Sequence, residues 1–390
     1  MTKVEFDKVI DRYNTNSYKW DEAKKFFGEK NVIPMWVADM DFESPKQVQE
    51  VLTKRAKHGV YGYAGDYEEY YKSITQWFLN RFGISIEKEW ISITPGVVPA
   101  LNMIIRTFTN PGDKVVLQSP VYPPFFDAIR KNGCHVANNV LKRSSNKYYI
   151  DFDDLEIKLS DSRAKLLLLC SPHNPVGRVW SREELVKIAK LCKKHGVLIV
   201  SDEIHSDLTF INEQHISFLQ IATEEKVPTI LCTSAAKTFN IAGLQISNVI
   251  IPDEFIREEF KNTLKANGIS KPNIFGLTAQ TACYKYGEPW LDNLRHYLTD
   301  NYLYLEDYIQ KNIPQIKVTK SEGTFLAWLD IRETSMSSNK IYTKLIKEGK
   351  VALLPGNRFG EGGEGFLRIN FGCPRELLDR GLKRISKVLT

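Results

Sequence analysis

Five short apolar runs, each bounded by polar or turn residues, constrain the fold of this chain more than any other feature. Continuous runs of this kind are typical of strands that are buried on both faces. Between two of them lies a helix signal, in which Ser181 and Glu184 form a capping-box pattern and Gly196 provides the stop. This alternation predicts an α/β fold with a mostly parallel sheet covered by helices. The runs are KVVLQSP (114–120), AKLLLLCSP (164–172), GVLIVSDE (196–203), PTILCTS (228–234) and SNVIIPD (247–253).

The C-terminal third of the chain has a different pattern. It begins with a long amphipathic helix, continues with short strand-like runs, and ends with a helix that starts at Pro374. Such a mixture predicts a smaller α+β domain beside the large one. We place the boundary near residue 287, which gives a large domain at 46–287. The small domain then comprises 288–390 together with 1–45, a segment that has no strand alternation of its own.

Length, composition and charge limit the classes of protein to consider. A chain of 390 residues is too long for one small core, and a content of 43% hydrophobic and 26% charged residues is typical of globular proteins. The net charge of +6 is spread along the chain, without a basic tail or stripe of the kind that binds nucleic acid. We therefore expect no nucleic-acid partner.

Targeting and cysteine patterns predict a cytoplasmic protein. The N-terminal sequence lacks the apolar segment of a secretory signal, and no apolar run approaches the roughly 20 residues that span a membrane. The six cysteines show no CxxC pair, so we expect buried free thiols in a reducing compartment. Neither a metal site nor a membrane partner is expected.

Polar side chains follow three of the predicted strands at the point where each strand ends. Asn174 follows LLLLC, Asp202 and His205 follow VLIVS, and Ser234 and Lys237 follow TILCT. In a parallel α/β sheet, ligands bind beyond the carboxyl ends of the strands. Each of these residues alone has a structural explanation, such as a helix cap or a turn. Their position at the same edge of one sheet favours a common site.

A candidate anion site comes earlier in the sequence. In ISITPGVVPALNMIIRTF, Gly96 directly precedes a predicted helix, and the backbone N–H groups of Val97 and Val98 lie at its N-terminus. Free N–H groups and the helix dipole attract anions there. The glycine could instead simply start the helix. Together with the strand ends, the sequence predicts one site that holds an anion cradle, a carboxylate, an amide and a lysine.

Several motifs resemble a known enzyme family. SPHNPVGRVW, SDEIHSDL and TSAAKTFNIAGL, in this order and spacing, resemble the class I/II aminotransferase superfamily of pyridoxal 5'-phosphate (PLP) enzymes of fold type I. Other motifs resemble the MalY/PatB branch of that superfamily, the cystathionine β-lyases or C–S lyases. The resemblance spans essentially the whole chain and implies a large domain with helices on both faces of its sheet. The branch motifs are PMWVADMDF (34–42), GVYGY (59–63), YGEPWLDNLRHYL (286–298) and GFLRINFGCPR (365–375).

The resemblance implies catalytic roles for Lys237, Asp202 and Tyr122. Lys237 matches the lysine that forms a covalent Schiff base with PLP and then moves the substrate Cα proton. Asp202 matches the carboxylate that pairs with the pyridinium nitrogen, and Asn174 matches the amide that binds the 3'-oxygen. Tyr122, in SPVYPPF, matches the aromatic residue stacked on the cofactor ring. A core tyrosine before a turn is the alternative interpretation of Tyr122.

The resemblance also implies a homodimer whose active site is shared between the subunits. Tyr63 matches a tyrosine that the other subunit contributes to the cofactor phosphate. Tyr61 is the competing candidate, because the YGY sequence offers two tyrosines. The phosphate contacts implied within the same chain are those of Gly96, Val97, Val98 and Ser234.

Substrate contacts are implied at four positions. Arg368 matches the arginine that binds the α-carboxylate, where a planar guanidinium suits bidentate binding. Asn174 is expected to contact the substrate as well as the cofactor. The branch motif PMWVADMDF brings Ala38 and Trp36 to the substrate side, although Trp36 could equally be a core residue.

Two positions depart from the wider family pattern. Many relatives have Arg or Lys eight residues after the Schiff-base lysine to bind the phosphate, whereas this chain has Gln245. The phosphate would then depend more on backbone amides, Ser234 and Tyr63. Many relatives also have Tyr where this chain has His205, so His205 either contacts the cofactor in another way or only packs.

The branch resemblance implies a C–S β-lyase. Such an enzyme cleaves L-cystathionine or a related cysteine S-conjugate by α,β-elimination to a thiol such as homocysteine, pyruvate and ammonia. An aminotransferase that acts on an amino acid and a 2-oxo acid is the alternative, because both reactions need the same residues. A non-catalytic regulatory or binding protein is a third hypothesis. DNA-binding relatives carry an N-terminal helix-turn-helix, for which the motifs starting at residue 34 leave no room.

Overall fold

A seven-stranded sheet and a smaller four-stranded sheet organise the protein. The structure is a computed structural model that describes residues 5–65, 67–334 and 336–389. The strands in chain order are β1 Ile33–Pro34, β2 Ile91–Thr94, β3 Lys114–Ser119, β4 His135–Val140, β5 Lys142–Ser144, β6 Lys147–Tyr149, β7 Ala164–Cys170, β8 Leu198–Asp202, β9 Thr229–Thr233, β10 Ser247–Ile250, β11 Lys317–Val318, β12 Leu326–Asp330, β13 Val351–Ala352, β14 Leu354–Pro355 and β15 Phe366–Asn370. The helices in chain order are α1 Ala23–Phe27, α2 Lys46–Lys57, α3 Glu68–Phe82, α4 Val97–Phe108, α5 Pro123–Lys131, α6 Phe152–Leu159, α7 Arg182–His195, α8 Phe218–Glu225, α9 Ala235–Thr238, α10 Glu254–Ala266, α11 Ile274–Tyr286, α12 Glu288–Asn312, α13 Ser338–Lys347 and α14 Arg375–Leu389.

The seven-stranded sheet confirms the predicted fold class. Its strand order is β2-β10-β9-β8-β7-β3-β4. The strands are parallel except for β10, which runs antiparallel to both of its neighbours. All five apolar runs of the sequence are strands of this sheet. The carboxyl ends of β7, β8 and β9 are therefore neighbours, as the argument from the sequence requires.

Helices cover both faces of the seven-stranded sheet. In β7, Leu166 and Leu168 pack in an apolar cluster with α4, α5 and α10. Leu167 and Leu169, which point to the opposite face, pack in a second cluster with α6, α7 and α8. Because successive side chains of a strand point to opposite faces, this packing explains why β7 is apolar at every position from Leu166 to Cys170.

Helix α7 begins and ends where the sequence predicted. The Ser181 N–H donates to Glu184 Oε2 at 2.9 Å, and the Glu184 N–H donates back to Ser181 Oγ at 3.3 Å. These two bonds satisfy N–H groups that have no partner within the helix. Gly196 ends the helix with a φ of 67°, a conformation that favours glycine.

The C-terminal part of the chain forms the four-stranded antiparallel sheet, with the order β11-β12-β15-β14. Near the N-terminus, β1 pairs in parallel with β13, so that Ile33 lies beside Val351. This pairing ties the N-terminal segment to the C-terminal part. Helix α12 begins at Glu288, and the domain boundary near residue 287 stays a prediction.

All six cysteines are buried and free, as expected for thiols that pack as small apolar side chains. Within the described ranges, no helix combines the length and the apolar character needed to cross a membrane.

Candidate active site

A cavity of about 180 Å³ lies at the carboxyl ends of β7, β8 and β9. It brings together the carboxylate, the amide, the lysine and the helix N-terminus that the sequence predicted at one site. Three other predicted residues, Arg368, Trp36 and Tyr63, lie outside its lining. The predicted residues that line the cavity are Ala38, Gly96, Val97, Val98, Tyr122, Asn174, Asp202, His205, Ser234 and Lys237.

Lys237 lies on the short helix α9 directly after β9. Ser234 fixes the start of this helix, because its Oγ accepts from the Ala236 N–H at 3.0 Å and donates to the Ile246 carbonyl at 2.7 Å. The Lys237 ammonium donates to the Ala38 carbonyl at 2.7 Å. Burial lowers the pKa of Lys237 to about 8, and the charge of nearby Arg368 adds to this effect. With a pKa of about 8, roughly a tenth of the amine is neutral at pH 7.

Asp202 is the last residue of β8 and is buried, with 5% of its surface exposed. Its Oδ1 accepts from the Ile204 N–H at 3.2 Å. The described residues provide no donor to its Oδ2. Burial raises the pKa of Asp202 to about 7. A buried carboxylate with a free oxygen at a cavity wall is suited to a protonated, cationic partner in that cavity.

The predicted anion cradle comprises Gly96, directly before α4, and the first two residues of that helix, Val97 and Val98. Gly96 has a φ of 143°, a conformation available to glycine, and helix α4 follows over twelve residues. The free N–H groups at this N-terminus face an anion favourably. Gln245 also lines the cavity, and among its described lining residues Lys237 is the one cation.

Arg368 lies in the centre of the four-stranded sheet, on β15 opposite Trp328. Its guanidinium donates to Asn174 Oδ1 at 3.1 Å and to the Trp36 carbonyl at 2.6 Å. Its Nε is buried without an acceptor, and no carboxylate of the described residues pairs with it. Burial lowers the pKa of Arg368 to about 10. A buried cation without a counter-charge favours binding of an anion such as a carboxylate.

His205 and Tyr122 form part of the cavity wall. Burial lowers the pKa of His205 to about 3, and Lys237 and Arg368 add to the effect, so its imidazole is neutral. Its Nδ1 is buried without a partner, and the ring packs edge-on against Phe325 at 5.7 Å between centroids. Tyr122 immediately precedes α5, and burial raises the pKa of its hydroxyl.

Residues 36–42, which we call the strap, hold the site by their backbone carbonyl groups. The carbonyl of Trp36 binds Arg368, and that of Ala38 binds Lys237. Asn370 donates to the carbonyls on either side of Ala38, each at 2.6 Å. Asn240 donates to those of Met40 and Phe42, each at 2.8 Å. A loop fixed at so many carbonyls presents its backbone to the cavity with little freedom.

A cluster of charges, of which Lys19 and Asp41 are buried and Arg12 and Asp39 half-buried, fixes the strap to the N-terminal segment. The Lys19 ammonium lies 2.7 Å from Asp41 Oδ2, with 1% and 3% of the two side chains exposed. Arg12 donates to Asp41 Oδ1 at 2.6 Å and to both oxygens of Asp39 at 3.1 and 3.0 Å. Two cations and two carboxylates balance, which is the condition for burying charges of this kind. Sequence reasoning missed this cluster.

Comparison with known proteins identifies the family. Residues 30–385 match the family described as Aminotransferase class I and II. The chain belongs to this family. It is 43% identical to the cystathionine beta-lyase PatB of Bacillus subtilis (strain 168), over 99% of this chain and 100% of PatB. It is 36% identical to protein MalY of Escherichia coli (strain K12), over 97% of each chain.

A solved structure agrees with this assignment. Cystalysin from Treponema denticola, whose crystal structure contains a pyridoxal 5'-phosphate cofactor, matches with a TM-score of 0.96 and 38% identity. The match covers 99% of this chain and 98% of cystalysin. The resemblance to the MalY/PatB branch and the fold type I architecture are thus confirmed for this member of the aminotransferase family.

The two tyrosines of the YGY sequence differ in their surroundings in this aminotransferase-family chain. Tyr61 donates its hydroxyl to the Ala56 carbonyl at 2.6 Å and packs against Phe275. Tyr63 is 91% exposed, and its hydroxyl has no partner among the described residues. Of the two, Tyr63 therefore has the hydroxyl that is free to contact another molecule.

The side chain of Trp36 is buried in an apolar core. Its indole is 5% exposed, donates to the Lys19 carbonyl at 3.0 Å, and packs among the rings of Tyr18, Phe26 and Phe27. This packing favours the core alternative that the sequence left open. The part of Trp36 that reaches the site is its carbonyl, which binds Arg368.

Proposed function

We propose that this chain is a PLP-dependent carbon–sulfur β-lyase that cleaves L-cystathionine or a related cysteine S-conjugate. The products are a thiol, which is homocysteine for cystathionine, together with pyruvate and ammonia. The observation that carries the proposal is the 43% identity to the cystathionine beta-lyase PatB over 99% of this chain. The family contains aminotransferases as well. The chemistry of the residues around the cavity must therefore fit a lyase too.

The residues around the cavity fit PLP. Asp202 has a free carboxylate oxygen for a protonated ring nitrogen, and Lys237 would hold the cofactor covalently through its amine. The N–H groups of residues 96–98 and Ser234 would bind the phosphate, and Tyr122 would pack on the ring. Asn174 and His205 remain for the other ring substituents. Bound there, PLP supplies an electron sink for the bonds at the substrate Cα.

The protein's own residues orient the substrate and move its proton. Arg368 and Asn174 would bind the substrate α-carboxylate, because the buried guanidinium lacks a carboxylate partner and donates to Asn174. Lys237 would take the Cα proton at Nζ, since its lowered pKa leaves part of the amine neutral near pH 7. Loss of the Cα proton and of a good leaving group such as a thiolate completes the elimination; the released 2-aminoacrylate tautomerises to an imine, which one water molecule hydrolyses to pyruvate and ammonia.

The reaction can be tested with purified protein, PLP and L-cystathionine. We expect continuous release of pyruvate and of a free thiol without any added 2-oxo acid. Turnover that is sustained only when a 2-oxo acid is added, without pyruvate and thiol release from cystathionine, would establish an aminotransferase instead. Absence of both activities with PLP bound would favour a non-catalytic role.

We also propose that the catalytic unit is a homodimer in which Tyr63 contacts the phosphate bound by the other subunit. The anion cradle has Gln245 where many relatives have a cation, and Tyr63 has an exposed, unpartnered hydroxyl. A hydroxyl donated from a second copy would offset part of the missing charge. Tyr61 is the weaker candidate because it already donates to Ala56.

Tyr63→Phe is expected to weaken PLP binding about tenfold, the effect of one hydrogen bond to a charged group. Tyr61→Phe is the matched control. It should leave the affinity for PLP within about twofold of the wild type, because the lost hydrogen bond from the Tyr61 hydroxyl to the Ala56 carbonyl lies on the surface. Absorbance titration with PLP measures both. Equal affinity of the Tyr63→Phe protein and the wild type would contradict the assignment.

Mixed dimers separate a contact between subunits from one within a subunit. A dimer of one Tyr63→Phe subunit and one Lys237→Ala subunit has one site with both residues intact only if Tyr63 acts across the interface. We then expect wild-type PLP affinity at that site. Uniformly weakened binding in the mixed dimer would place the contact within one chain.

A further inference from the structure

Residues 320–324, which we call the seam, lie between the elements that carry Asn174 and Arg368. On one side, the Glu322 N–H donates to the Gly177 carbonyl at 2.8 Å. On the other side, the Phe210 N–H donates to the Glu322 carbonyl at 3.0 Å, and the Thr324 N–H donates to the Leu208 carbonyl at 2.6 Å. The seam thus contacts both the turn after β7 and the turn after β8.

The Glu322 side chain makes the most numerous polar contacts of the seam. Its Oε2 accepts from Arg178 Nε at 2.9 Å and from the Val179 N–H at 2.8 Å. Its Oε1 lies 2.5 Å from the Lys147 ammonium. The residue is 5% exposed, and these partners keep its pKa below the usual range although burial opposes them. Glu322 is therefore a buried, ionised carboxylate with every oxygen engaged.

Arg178 connects Glu322 to the turn that presents Asn174. The Arg178 carbonyl accepts from the His173 N–H at 2.8 Å, which closes the turn around Asn174. Arg178 is only 3% exposed. Its guanidinium also donates to Glu184 at 2.8 Å and to the Tyr148 carbonyl. Because one planar guanidinium donates to three acceptors, its hydrogen bonds fix the position of the Asn174 turn relative to the seam.

The seam packs so closely against Gly177 that there is no space for a side chain at this position. A Cβ at this position would lie 2.0 Å from Ser321 Oγ, and the φ of 72° also favours glycine. Toward the C-terminus, the seam continues into β12, where Trp328 pairs with Arg368 of β15. A short path therefore runs from Glu322 to Asn174 in one direction and to Arg368 in the other.

We propose that Glu322 is a positioning residue that sets the carboxylate selectivity of the site by holding the Asn174 amide in register with the Arg368 guanidinium. The two groups are bonded at 3.1 Å, yet Asn174 follows a strand of the seven-stranded sheet and Arg368 lies on a strand of the four-stranded sheet. A loss of the Glu322 contacts frees the Asn174 turn to shift, and two hydrogen-bond partners then no longer converge on one carboxylate. The inference rests on the proposed role of Arg368 and Asn174 in binding the α-carboxylate.

The test uses two probes that differ only in the α-carboxylate. S-ethyl-L-cysteine serves as the substrate, and S-ethylcysteamine, which lacks the carboxylate, serves as a competitive inhibitor. In Glu322→Gln, the amide N–H groups face the donors of Arg178 or Lys147, so the network cannot re-form. We expect KM for S-ethyl-L-cysteine to rise about tenfold while the inhibition constant of S-ethylcysteamine stays within about twofold.

Two variants accompany Glu322→Gln. Glu224→Gln removes an exposed carboxylate that pairs with Arg182 and should leave both constants unchanged. Arg178→Lys keeps the charge but not the fork, and it should shift the same ratio in the same direction. It also provides the measurement if Glu322→Gln does not fold.

The outcomes distinguish the inference from the function on which it rests. Equal shifts of both constants, or no shift, in Glu322→Gln and Arg178→Lys would overturn the positioning role, because a general loss of stability affects both probes alike. Arg368→Gln should abolish the preference for the carboxylate. If Arg368→Gln keeps that preference, the proposed carboxylate site itself is wrong.

Discussion

Lys237→Ala should reduce pyruvate release from cystathionine by about a thousandfold or more, because a positioned proton-transfer group and the covalent attachment point are lost together. The Lys237 ammonium reaches the cavity from α9 and is bonded to the Ala38 carbonyl alone. No other lysine lines the cavity within the described residues. Steady-state pyruvate release and the visible absorbance band of the protein with PLP measure the two losses separately.

Lys194→Ala is a suitable control for this experiment. Lys194 is 64% exposed at its side chain and pairs with Glu156 on the surface, so its removal should change neither turnover nor absorbance. Lyase turnover retained in Lys237→Ala would overturn the assignment of the site. If the wild type binds PLP without turnover and Lys237→Ala loses the absorbance band, the result would instead support the non-catalytic hypothesis.

Asp202→Asn should lower kcat by roughly a hundredfold to a thousandfold, a loss typical of removing one preorganised charge from a buried site. Asparagine keeps the shape of the side chain but removes the negative charge that would stabilise a protonated ring nitrogen. Asp202 is buried and lines the cavity, where this charge is weakly screened. Steady-state kinetics with saturating PLP measures the effect, and Asp153→Asn on the exposed first turn of α6 is the control.

The pH dependence of PLP binding provides an independent check on Asp202. Its pKa of about 7 means that the carboxyl group loses its proton as the pH rises from 6 to 8. The ionised form binds a cation better, so affinity for PLP should rise with pH in the wild type more steeply than in Asp202→Asn. Identical pH profiles for the two proteins would show that Asp202 does not pair with the cofactor.

Much of the large sheet could be predicted from the sequence, because β3, β7, β8, β9 and β10 are buried on both faces and each carries a run of consecutive apolar residues. Two strands escaped prediction for physical reasons. The edge strand β4 has the sequence HVANNV, in which, after the exposed His135, half-buried and buried residues alternate and two of them are asparagines. The strand β2 has the sequence ISIT and is only four residues long, so its pattern resembles the start of the following helix.

The residues themselves predicted the candidate site at the strand ends and at the start of α4, whereas Tyr122 and Ala38 were implied only by the family resemblance. Asn174, Asp202 and Lys237 follow buried strands, so topology alone brings them to one edge of the sheet. The strap acts through main-chain carbonyls, which every residue has, so these contacts could not be predicted from its side chains, and only the family motif at 34–42 pointed to this segment. Glu322 was missed for a related reason, since its partners lie more than 140 residues away in sequence.

The strap has a consequence for the order in which the protein can mature during synthesis. Its residues leave the ribosome early, yet Arg368 follows Trp36 by 332 positions. At roughly 5–20 residues per second, this delay is on the order of tens of seconds. The bonds of Lys19 to Asp41, only 22 positions apart, can form during the wait. A chain that ends between Ile250 and Arg368 therefore contains every strand of the seven-stranded sheet and every residue that lines the cavity, but it lacks the guanidinium that binds the Trp36 carbonyl.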